Sequence, residues 1–390
     1  MNVPKLRFKE FNDEWNYDSL SKYVDRIITK NKNNESNLVL TISAQYGLVD
    51  QTEFFNRNVS SNNLTGYYLL NKGDFAYNKS YSNGYPWGAI KRLNRYNQGV
   101  VSSLYICFKP NNKINSNYLE QYFETNKWHQ QISEVSVEGA RNHGLLNIAV
   151  NDFFNTEHFI PQFEEQEKIA NFLSLLDKKI ELQTKKIEDL KLFKKGLIKK
   201  IFSSDNLSEV RVKDLGTIIT GTTPSKENKN YWENGSIAWI TPTDINYERD
   251  ISNSITLLTI EGLEKGRFVP KNSILVTCIA SIGKNAVIKV DGSCNQQINA
   301  IIPNDNYNSN YIYYLMEYIS PYLQSIAGTS ATAIVNKETF ERVKVKVHNI
   351  EEQMNIDNIL SSIESKILLE NNLLNKLSEL KKGLMQNMFV

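Results

Sequence analysis

The side chains of this sequence that are capable of chemistry form none of the common catalytic motifs. There is no G-x-x-x-x-G-K-[ST] loop for nucleotide phosphates, no glycine-rich turn for a dinucleotide, no H-E-x-x-H and no G-x-S-x-G. Gly283-Lys284 lacks the preceding glycine that would let backbone amides surround a phosphate. The N-P-P-[YF] tetrapeptide, with which amino-methyltransferases hold a flipped base, is also missing. We therefore expect a chain that is not an enzyme and binds no cofactor.

Histidines and cysteines give no sign of a metal site. Four histidines occur without ligand spacing, and we expect structural or surface roles for them: His129, His143, His158 and His348. Three cysteines, an odd number without a C-x-x-C pair, are expected to be buried small side chains: Cys107, Cys278 and Cys294.

The remaining polar loops contain residue types that suit DNA. Asn and Gln can bond adenine edges, Arg and Lys suit guanine, and Ser, Thr and backbone amides suit phosphate oxygens. Near the N-terminus these types occur in two clusters. One is 78–87, with the basic residues that follow it, and the other is 139–144. The alternative interpretation of each cluster is an ordinary surface loop. The predicted DNA-binding residues are Asn78, Lys79, Ser80, Tyr81, Tyr85, Trp87, Lys91, Arg92, Arg141, Asn142 and His143.

In the C-terminal half the corresponding segments are 221–226, 239–244 and 295–297. Trp239 and the glutamine pair have an alternative interpretation, as core and turn residues. The predicted DNA-binding residues here are Thr222, Thr223, Ser225, Lys226, Thr241, Thr243, Lys284, Asn295, Gln296 and Gln297. A formal net charge of only +2 is low for a lone nucleic-acid-binding domain, so phosphate contacts must come from local patches.

A long amphipathic segment that occurs twice, 187 residues apart, must position these loops. Glu164-Glu165-Gln166 returns as Glu351-Glu352-Gln353, and Lys194-Lys195-Gly196-Leu197 returns as Lys381-Lys382-Gly383-Leu384. Such self-similarity indicates two copies of one unit. The Asn-Ser-Asn-Tyr run at 115–118 returns at 308–311, whereas the rest of the two strand-rich regions has diverged.

Apolar residues in both copies follow the alternating four-three spacing of a heptad seam. The seams break at equivalent polar residues, Gln183 and Lys194 in one copy and Glu370 and Lys381 in the other, which favours a specific pairing in one register. The residues predicted to pair the helices are Leu173, Leu176, Ile180, Ile187, Leu190, Leu360, Ile363, Ile367, Leu374 and Leu377.

The sequence thus predicts an α+β fold with a pseudo-two-fold internal repeat. Two strand-rich domains, 1–160 and 205–346, alternate with long helices in 161–204 and 347–390, each about 39 residues or ~58 Å long. Because each helix ends its unit, a two-fold arrangement would pair the helices as an antiparallel coiled coil. Two unrelated surface helices are the alternative.

Several motifs in order resemble the DNA-specificity subunit of type I restriction-modification systems. The opening 4–8 with Trp15, the run 221–225 followed by Tyr231-Trp232, and 240–242 with Asp244 are similar to that family, as is Phe163-Glu164-Glu165-Gln166 with its C-terminal echo. The resemblance covers nearly the whole chain. The first domain departs from it, since it has no clear counterpart of 221–225.

The resemblance implies a division of labour between subunits. The two strand-rich regions would be target recognition domains that each read one half of a bipartite DNA sequence, and the helix pair would set the gap. Two modification subunits would bring S-adenosylmethionine, and restriction subunits would bring ATP and Mg; phage anti-restriction proteins are further implied partners. Candidates for docking the modification subunits are Lys178, Lys179, Lys185 and Lys186.

Two other functions remain as hypotheses beside this one. A two-headed coiled-coil scaffold that binds only proteins would have the same seam, and a methyltransferase with altered motifs would bind S-adenosylmethionine itself. No apolar stretch approaches the ~20 residues that span a bilayer, and no signal peptide opens the chain. We therefore expect a cytoplasmic protein without membrane contact.

Overall fold

The structure is a computed structural model that describes residues 2–43, 45–55, 63–81, 84–136, 146–204, 207–246, 248–328 and 333–390. It divides into two compact units. The first comprises Met1–Thr184 with Leu373–Val390, and the second comprises Lys185–Asn372. The domain limits expected from the sequence stay a prediction.

The first unit is built on short antiparallel strands. Its strands are β1 (Asn16–Ser19), β2 (Val24–Arg26), β3 (Leu40–Ser43), β4 (Gly47–Asp50), β5 (Tyr68–Asn71), β6 (Phe75–Asn78), β7 (Ala89–Arg92), β8 (Gln98–Val101), β9 (Ile106–Pro110) and β10 (Glu157–Ile160). The central sheet has the order β2-β9-β6-β7, and β1 pairs with β10, β3 with β4, and β5 with β8. The helices are α1 (Gln51–Phe55), α2 (Ser116–Phe123), α3 (His129–Val135), α4 (Val150–Phe154) and the start of the long α5 (Phe163–Phe202).

Aromatic side chains fill the core of this unit. Phe75 and Phe108 from neighbouring strands stack with ring centroids 5.3 Å apart, and Tyr118 of α2 is fully buried. The C-terminal Phe389 packs on Tyr118 at 5.5 Å. Helix α2 begins where Asn115 accepts hydrogen bonds from two backbone N–H groups of the first turn, a usual way to cap a helix.

The second unit has a larger sheet system. Its strands are β11 (Ser208–Arg211), β12 (Gly216–Thr220), β13 (Ile237–Ile240), β14 (Asp250–Ile251), β15 (Leu257–Leu258), β16 (Ile274–Thr277), β17 (Asn285–Ile288), β18 (Gly292–Cys294), β19 (Ile298–Pro303) and β20 (Lys344–Val347). One sheet has the order β12-β19-β16-β17-β14, another has β15-β13-β18, and β11 pairs with β20. The helices are α6 (Ile260–Lys265), α7 (Ser309–Ile326), α8 (Lys337–Arg342) and the long α9 (Ile350–Met388).

The two long helices pair in an antiparallel sense within each unit. In the first unit Asp177, early in α5, binds Lys381, late in α9. In the second unit Lys194, late in α5, binds Glu364, early in α9, at 2.7 Å. The predicted α+β fold with an internal repeat and antiparallel helices is thereby confirmed. Every residue predicted to pair the helices is buried or half-buried, with Leu173 and Leu360 fully so.

Three of the polar residues that interrupt the seam form ion pairs. Glu370 forms one with Lys186 at 2.7 Å and another with Lys366 at 2.9 Å. Lys194 and Lys381 bind the carboxylates already named. Within the described residues of the chain, no helix combines the length and the apolar composition that crossing a membrane requires.

Candidate nucleic-acid interface

In the second unit three predicted segments converge where strands end. β13 and β18 run parallel, with Ile240 opposite Cys294, so their carboxyl ends coincide. The N–H of Asn295 donates to the Ile240 carbonyl at 3.0 Å, and the N–H of Thr222 donates to the Cys294 carbonyl at 2.9 Å. The loops after β12, β13 and β18 therefore form one surface, as the position of ligand sites at strand ends leads us to expect.

Gly221 allows the closest approach in this surface. A Cβ atom on Gly221 would lie under 3 Å from the carbonyl oxygens of both Cys294 and Asn295. Only a residue without a side chain lets the two backbones meet there. The glycine of the predicted 221–226 segment thus has a structural reason, which is to bring Thr222 and Thr223 against the turn after β18.

Two tryptophans hold the 221–226 loop through hydrogen bonds to its backbone carbonyls. Trp239 is buried, and its Nε1–H donates to the Thr222 carbonyl at 3.0 Å. Trp232 packs edge-on against Trp239 at 5.0 Å and donates from Nε1–H to the Ser225 carbonyl at 2.9 Å. Trp239 is therefore a core residue, which was the alternative interpretation of it, while Thr223, Ser225 and Lys226 are exposed.

Asp244 organises the turn after β13. One carboxylate oxygen accepts from the N–H of Thr241 at 2.8 Å and from its hydroxyl at 2.6 Å, and the other accepts from the N–H of Ile255 at 2.9 Å. Since the Thr241 hydroxyl donates to Asp244, it accepts from the hydroxyl of Thr243, 2.7 Å away. Thr243 is the exposed member of this turn.

The three residues after β18 have different exposures. Asn295 is buried and bonds both the N–H and the side chain of Gln297, each at 3.0 Å, so it shapes the turn. Gln296 is exposed and accepts a hydrogen bond from the Thr223 hydroxyl. Of the three, Gln296 is thus the one most accessible to a ligand.

Lys284 joins the same end of the sheet through the β16–β17 loop. The N–H of Thr277 donates to the Lys284 carbonyl at 2.8 Å. Thr277 in turn lies opposite Ile298, the first residue after the 295–297 turn. The Lys284 side chain is exposed. Sequence spacing alone gives no reason to connect this lysine with Thr223, but the sheet brings their loops to one edge.

Arg267 belongs to this surface and was not predicted. Its guanidinium donates to the Thr220 carbonyl, the last residue of β12, at 2.7 Å, while the side chain remains exposed. The neighbouring Phe268 is also 49% exposed. The Gly-Arg-Phe run just after a short helix could have indicated Arg267 from the sequence, because an exposed basic side chain beside an exposed aromatic ring suits nucleic-acid binding.

In the first unit the two predicted clusters meet at one strand end. The 78–87 cluster joins β6 to β7, and the N–H of Leu146, which follows the second cluster, donates to the Lys79 carbonyl at 2.9 Å. Lys79 itself donates from Nζ to the Ile148 carbonyl at 3.0 Å. The second cluster lies outside the described residues, and with it Arg141, Asn142 and His143.

Within the 78–87 cluster exposure differs from residue to residue. Tyr81 is 61% exposed, whereas Tyr85 is half-buried. Trp87 packs on the core, and its carbonyl accepts from the Tyr77 hydroxyl at 2.7 Å. Asn78 accepts from the N–H of Ser80 at 3.1 Å and closes the turn.

Lys91 and Arg92 are neutralised inside the unit. Lys91 is buried and binds Glu124 at 2.5 Å, and Arg92 binds Glu120 at 2.5 Å. Burial, partly offset by Glu120, lowers the pKa of Arg92 from its usual value. These two basic side chains hold α2 and the residue after it against β7. A DNA contact from either one stays a prediction.

The matching sheet orders give the first unit a counterpart of the 221–226 segment. β2 and β12 hold equivalent edge positions, so the residues after β2 correspond to it, although the sequences are not alike. Among them Lys30 lies over the ring of Tyr68, Lys32 is exposed, and buried Asn31 bonds the backbone of Ser36 at both ends of its amide. The expected lack of a counterpart therefore holds for sequence but not for topology.

The three cysteines and the possible metal-binding side chains were compared with what thiol and metal chemistry require. Burial raises the pKa of Cys107 and Cys294 to about 12 and that of Cys278 to about 11, so all three thiols stay protonated. All three are buried, as expected. Among the described residues no group of three or more His, Cys, Asp or Glu side chains is placed to hold a metal ion.

Comparisons with known proteins agree with this geometry. Residues 204–379 match the family described as the type I restriction modification DNA specificity domain. The type I restriction enzyme MjaIX specificity subunit of Methanocaldococcus jannaschii is 37% identical over 167 residues, 41% of this chain and 38% of that protein. The EcoR124I/EcoR124II specificity subunit of Escherichia coli is 34% identical over 169 residues, 40% of this chain and 41% of that protein. The chain thus spans about two fifths of the length of these relatives.

The likeness in fold extends further than the likeness in sequence. The crystal structure of the type I restriction-modification system S subunit from M. genitalium superposes with a TM-score of 0.59 at 16% identity, over 100% of this chain and 99% of that one. The predicted resemblance to this family is confirmed, in sequence for 204–379 and in fold for the chain.

Proposed function

We propose that this chain, in which residues 204–379 form a type I restriction modification DNA specificity domain, is the non-catalytic DNA-specificity subunit of a type I restriction-modification complex. Each strand-rich domain reads one half of a bipartite sequence, and the paired helices set the gap. One observation carries the proposal. Loops with DNA-suited side chains converge at one end of the second unit, within the matched region.

The exposed groups of that surface match what duplex DNA offers. Ser225 presents a hydroxyl for phosphate oxygens, and Gln296 presents an amide that can bond an adenine edge. The exposed hydroxyls of Thr223 and Thr243 would exchange their bonds to Gln296 and Thr241 for a phosphate oxygen. Lys226, Lys284 and Arg267 supply positive charge. Asp244 is half-buried, and both its carboxylate oxygens accept backbone hydrogen bonds, which offsets part of its negative charge near a phosphate.

The first unit presents a different set of side chains, which supports a different half-site. Its strand-end loops offer Tyr81 and Lys32 where the second unit offers small hydroxyls. Because specificity comes from side chains at base edges, two such surfaces recognise two different short sequences. An asymmetric bipartite target follows.

The outer faces of the long helices support docking of two modification subunits. Apolar side chains outside the seam are exposed, among them Leu175 at 69% and Leu192 at 70%. Other exposed members of this set are Phe172, Leu182, Phe193, Ile359, Leu368, Leu369, Leu373 and Leu380. Exposed apolar patches of this kind mark protein contacts, and Lys178, Lys179 and Lys185 beside them add charge.

The proposal assigns chemistry to the partners. S-adenosylmethionine would be bound by the modification subunits, and ATP with Mg by restriction subunits; this chain would bind none of them. Its place of action would be the cytoplasm, with the DNA. Binding of phage anti-restriction proteins stays a prediction.

The test is sequence-specific methylation by a reconstituted complex. The full chain is combined with modification subunits from the same host, and methylated adenines are mapped on a plasmid library with random inserts. We expect one bipartite sequence with a fixed gap. Methylation without sequence preference, or duplex binding that is equally weak for all sequences at every salt concentration, would favour the protein scaffold instead. Binding of S-adenosylmethionine by the isolated chain would favour an enzyme.

A further inference from the structure

In each long helix one of the two polar residues that break the seam is a lysine that binds a carboxylate of the other helix. Lys194 is 10% exposed and binds Glu364 at 2.7 Å in the second unit, and Lys381 binds Asp177 in the first. The two lysines are 187 residues apart, and so are the two carboxylates. The internal repeat has therefore kept the same charged pair twice.

The same carboxylate also binds the strand-rich domain. In the first unit Asp177 accepts a hydrogen bond from the Gln121 side chain at 2.8 Å, and in the second Glu364 accepts one from the Tyr314 hydroxyl at 3.0 Å. Gln121 lies on α2 and Tyr314 on α7, each six residues after the asparagine that caps its helix. The donor has changed from amide to phenol, but its place in the fold has not. In the second unit Arg249 also binds Glu364, at 3.3 Å, and Glu317 of α7 also binds Lys194, at 2.8 Å.

A second attachment joins the same elements near the start of each long helix. Gln166 accepts from the N–H of Asn115 at 2.7 Å, and Gln353 accepts from the N–H of Asn308 at 3.0 Å. Both glutamines are 1% exposed, and each also donates to a backbone carbonyl five residues earlier. In each long helix the glutamine lies eleven residues before the carboxylate, or about 16 Å along the axis.

Two attachments about 16 Å apart fix the direction of α2 or α7 along its long helix, whereas one would leave a rotation free. We propose that the clusters Gln121–Asp177–Lys381 and Tyr314–Glu364–Lys194 are positioning sites that hold each recognition domain at a set angle on the helix pair, so that the gap between half-sites is read strictly. The inference rests on the proposed function and deepens it.

The charged pairs are poorly explained by stability alone. Partly exposed ion pairs such as Lys381–Asp177 contribute little stability, and replacing a buried pair with apolar residues of similar size is often neutral or stabilising. An apolar seam would therefore hold the helices at least as well. Register alone is also insufficient as an explanation, because it needs only the two long helices. Neither account gives Gln121 and Tyr314 a reason to bind the carboxylate.

The test removes one hydrogen bond between the recognition domain and the carboxylate. It leaves the lysine–carboxylate pair intact, together with the ion pairs of Arg249 with Glu364 and of Glu317 with Lys194. Tyr314→Phe deletes one hydroxyl in the second unit, and Gln121→Met deletes the amide in the first. Tyr318→Phe is the matched control, since its hydroxyl lies on the same helix and has no hydrogen-bond partner among the residues that the structure describes. The full complex methylates duplexes that carry both half-sites at the native gap or at one base pair more or less.

We expect the preference for the native gap to fall by a factor of roughly 2 to 10 in each variant, the equilibrium equivalent of one hydrogen bond. Preference for the bases within each half-site should not change, and Tyr318→Phe should behave as wild type. An unchanged gap preference in both variants overturns the proposal, and so does an equal loss on every duplex together with a lower melting temperature. If the wild-type complex ignores both half-sites, the proposed function fails instead.

Discussion

The ring Nδ1 of His158 lies 2.8 Å from the hydroxyl of Tyr122, inside the core of the first unit. The ring Nε2 lies 2.8 Å from the hydroxyl of Thr156, which donates its only proton to the Phe153 carbonyl at 2.7 Å. Thr156 must therefore accept from Nε2–H, and Nδ1 accepts from Tyr122. The imidazole is then neutral, and a second proton on Nδ1 would have to turn the Tyr122 hydroxyl away from this hydrogen bond.

This arrangement predicts a loss of stability in mild acid. Burial lowers the pKa of His158 to about 4, against 6.5 for a free histidine. The stabilisation is complete above pH 6.5 and disappears as the pH falls toward 4, because the unfolded chain binds a proton that the folded chain does not. The loss should approach ~3 kcal/mol, as ~1.4 kcal/mol per pKa unit gives. Urea unfolding followed by tryptophan fluorescence between about pH 7 and pH 4.5 measures it.

The control is a second histidine that is less buried. His129 is only half-buried, so His129→Gln should keep the steep acid dependence of the wild type. His158→Gln should lower the free energy of unfolding at neutral pH and flatten its change with pH. An unaltered slope in His158→Gln would show that other groups cause the acid sensitivity.

Two glycines should respond to alanine in opposite directions. Gly221→Ala places a methyl group against the carbonyls of Cys294 and Asn295, so it should lower the free energy of unfolding of the second unit by ~1–3 kcal/mol and weaken DNA binding. Gly196 lies inside α5, and a Cβ atom added there would meet no neighbouring side chain within 4 Å. Gly196→Ala should therefore stabilise by ~0.5–1 kcal/mol. Chemical denaturation measures both, and equal effects of the two substitutions would contradict the close approach at Gly221.

The difference in burial between Lys91 and Arg267 predicts that the first basic residue stabilises the fold and the second contacts DNA. Lys91→Met should lower the free energy of unfolding by ~1–2 kcal/mol, a value discounted because Glu124 is 35% exposed. Arg267→Ala should leave stability unchanged, weaken DNA binding by the full complex, and reduce the salt dependence by about one phosphate contact. Arg342→Ala, which removes another exposed arginine of the second unit, is the control. Loss of stability in Arg267→Ala, with binding intact, would remove Arg267 from the interface.

The sequence predicts the helices better than the interface, for a physical reason. A heptad seam and its polar breaks are local patterns, so Leu173 and Leu360 could be assigned to the pairing face without knowing the fold. The hydrogen bond of Thr222 to Cys294 depends on which strands pair across distant stretches of the chain, and no local pattern encodes it. Trp239 shows the same limit, because a tryptophan beside DNA and one beneath a loop have similar neighbours in sequence.

The seam breaks show where a correct local prediction was incomplete. Lys194 and Lys381 were expected to fix the register of two helices, and each does bind the opposite helix. Their third partners, Tyr314 and Gln121, differ in residue type and follow a different offset, so the repeat hides them. Only the packing of α7 and α2 on the long helices brings them to the carboxylates.

The helix pair should act as a ruler for the gap between half-sites. One heptad inserted into each long helix, near Thr184 in α5 and near Asn372 in α9, keeps the seam in phase and lengthens each helix by about 10 Å. At ~3.4 Å per base pair the recognised gap should widen by about three base pairs, with both half-sites unchanged. Mapping methylated adenines measures the gap directly. A heptad in only one helix leaves its partner too short and should abolish specific methylation, whereas an unchanged gap in the double insertion would show that the helices do not set the spacing.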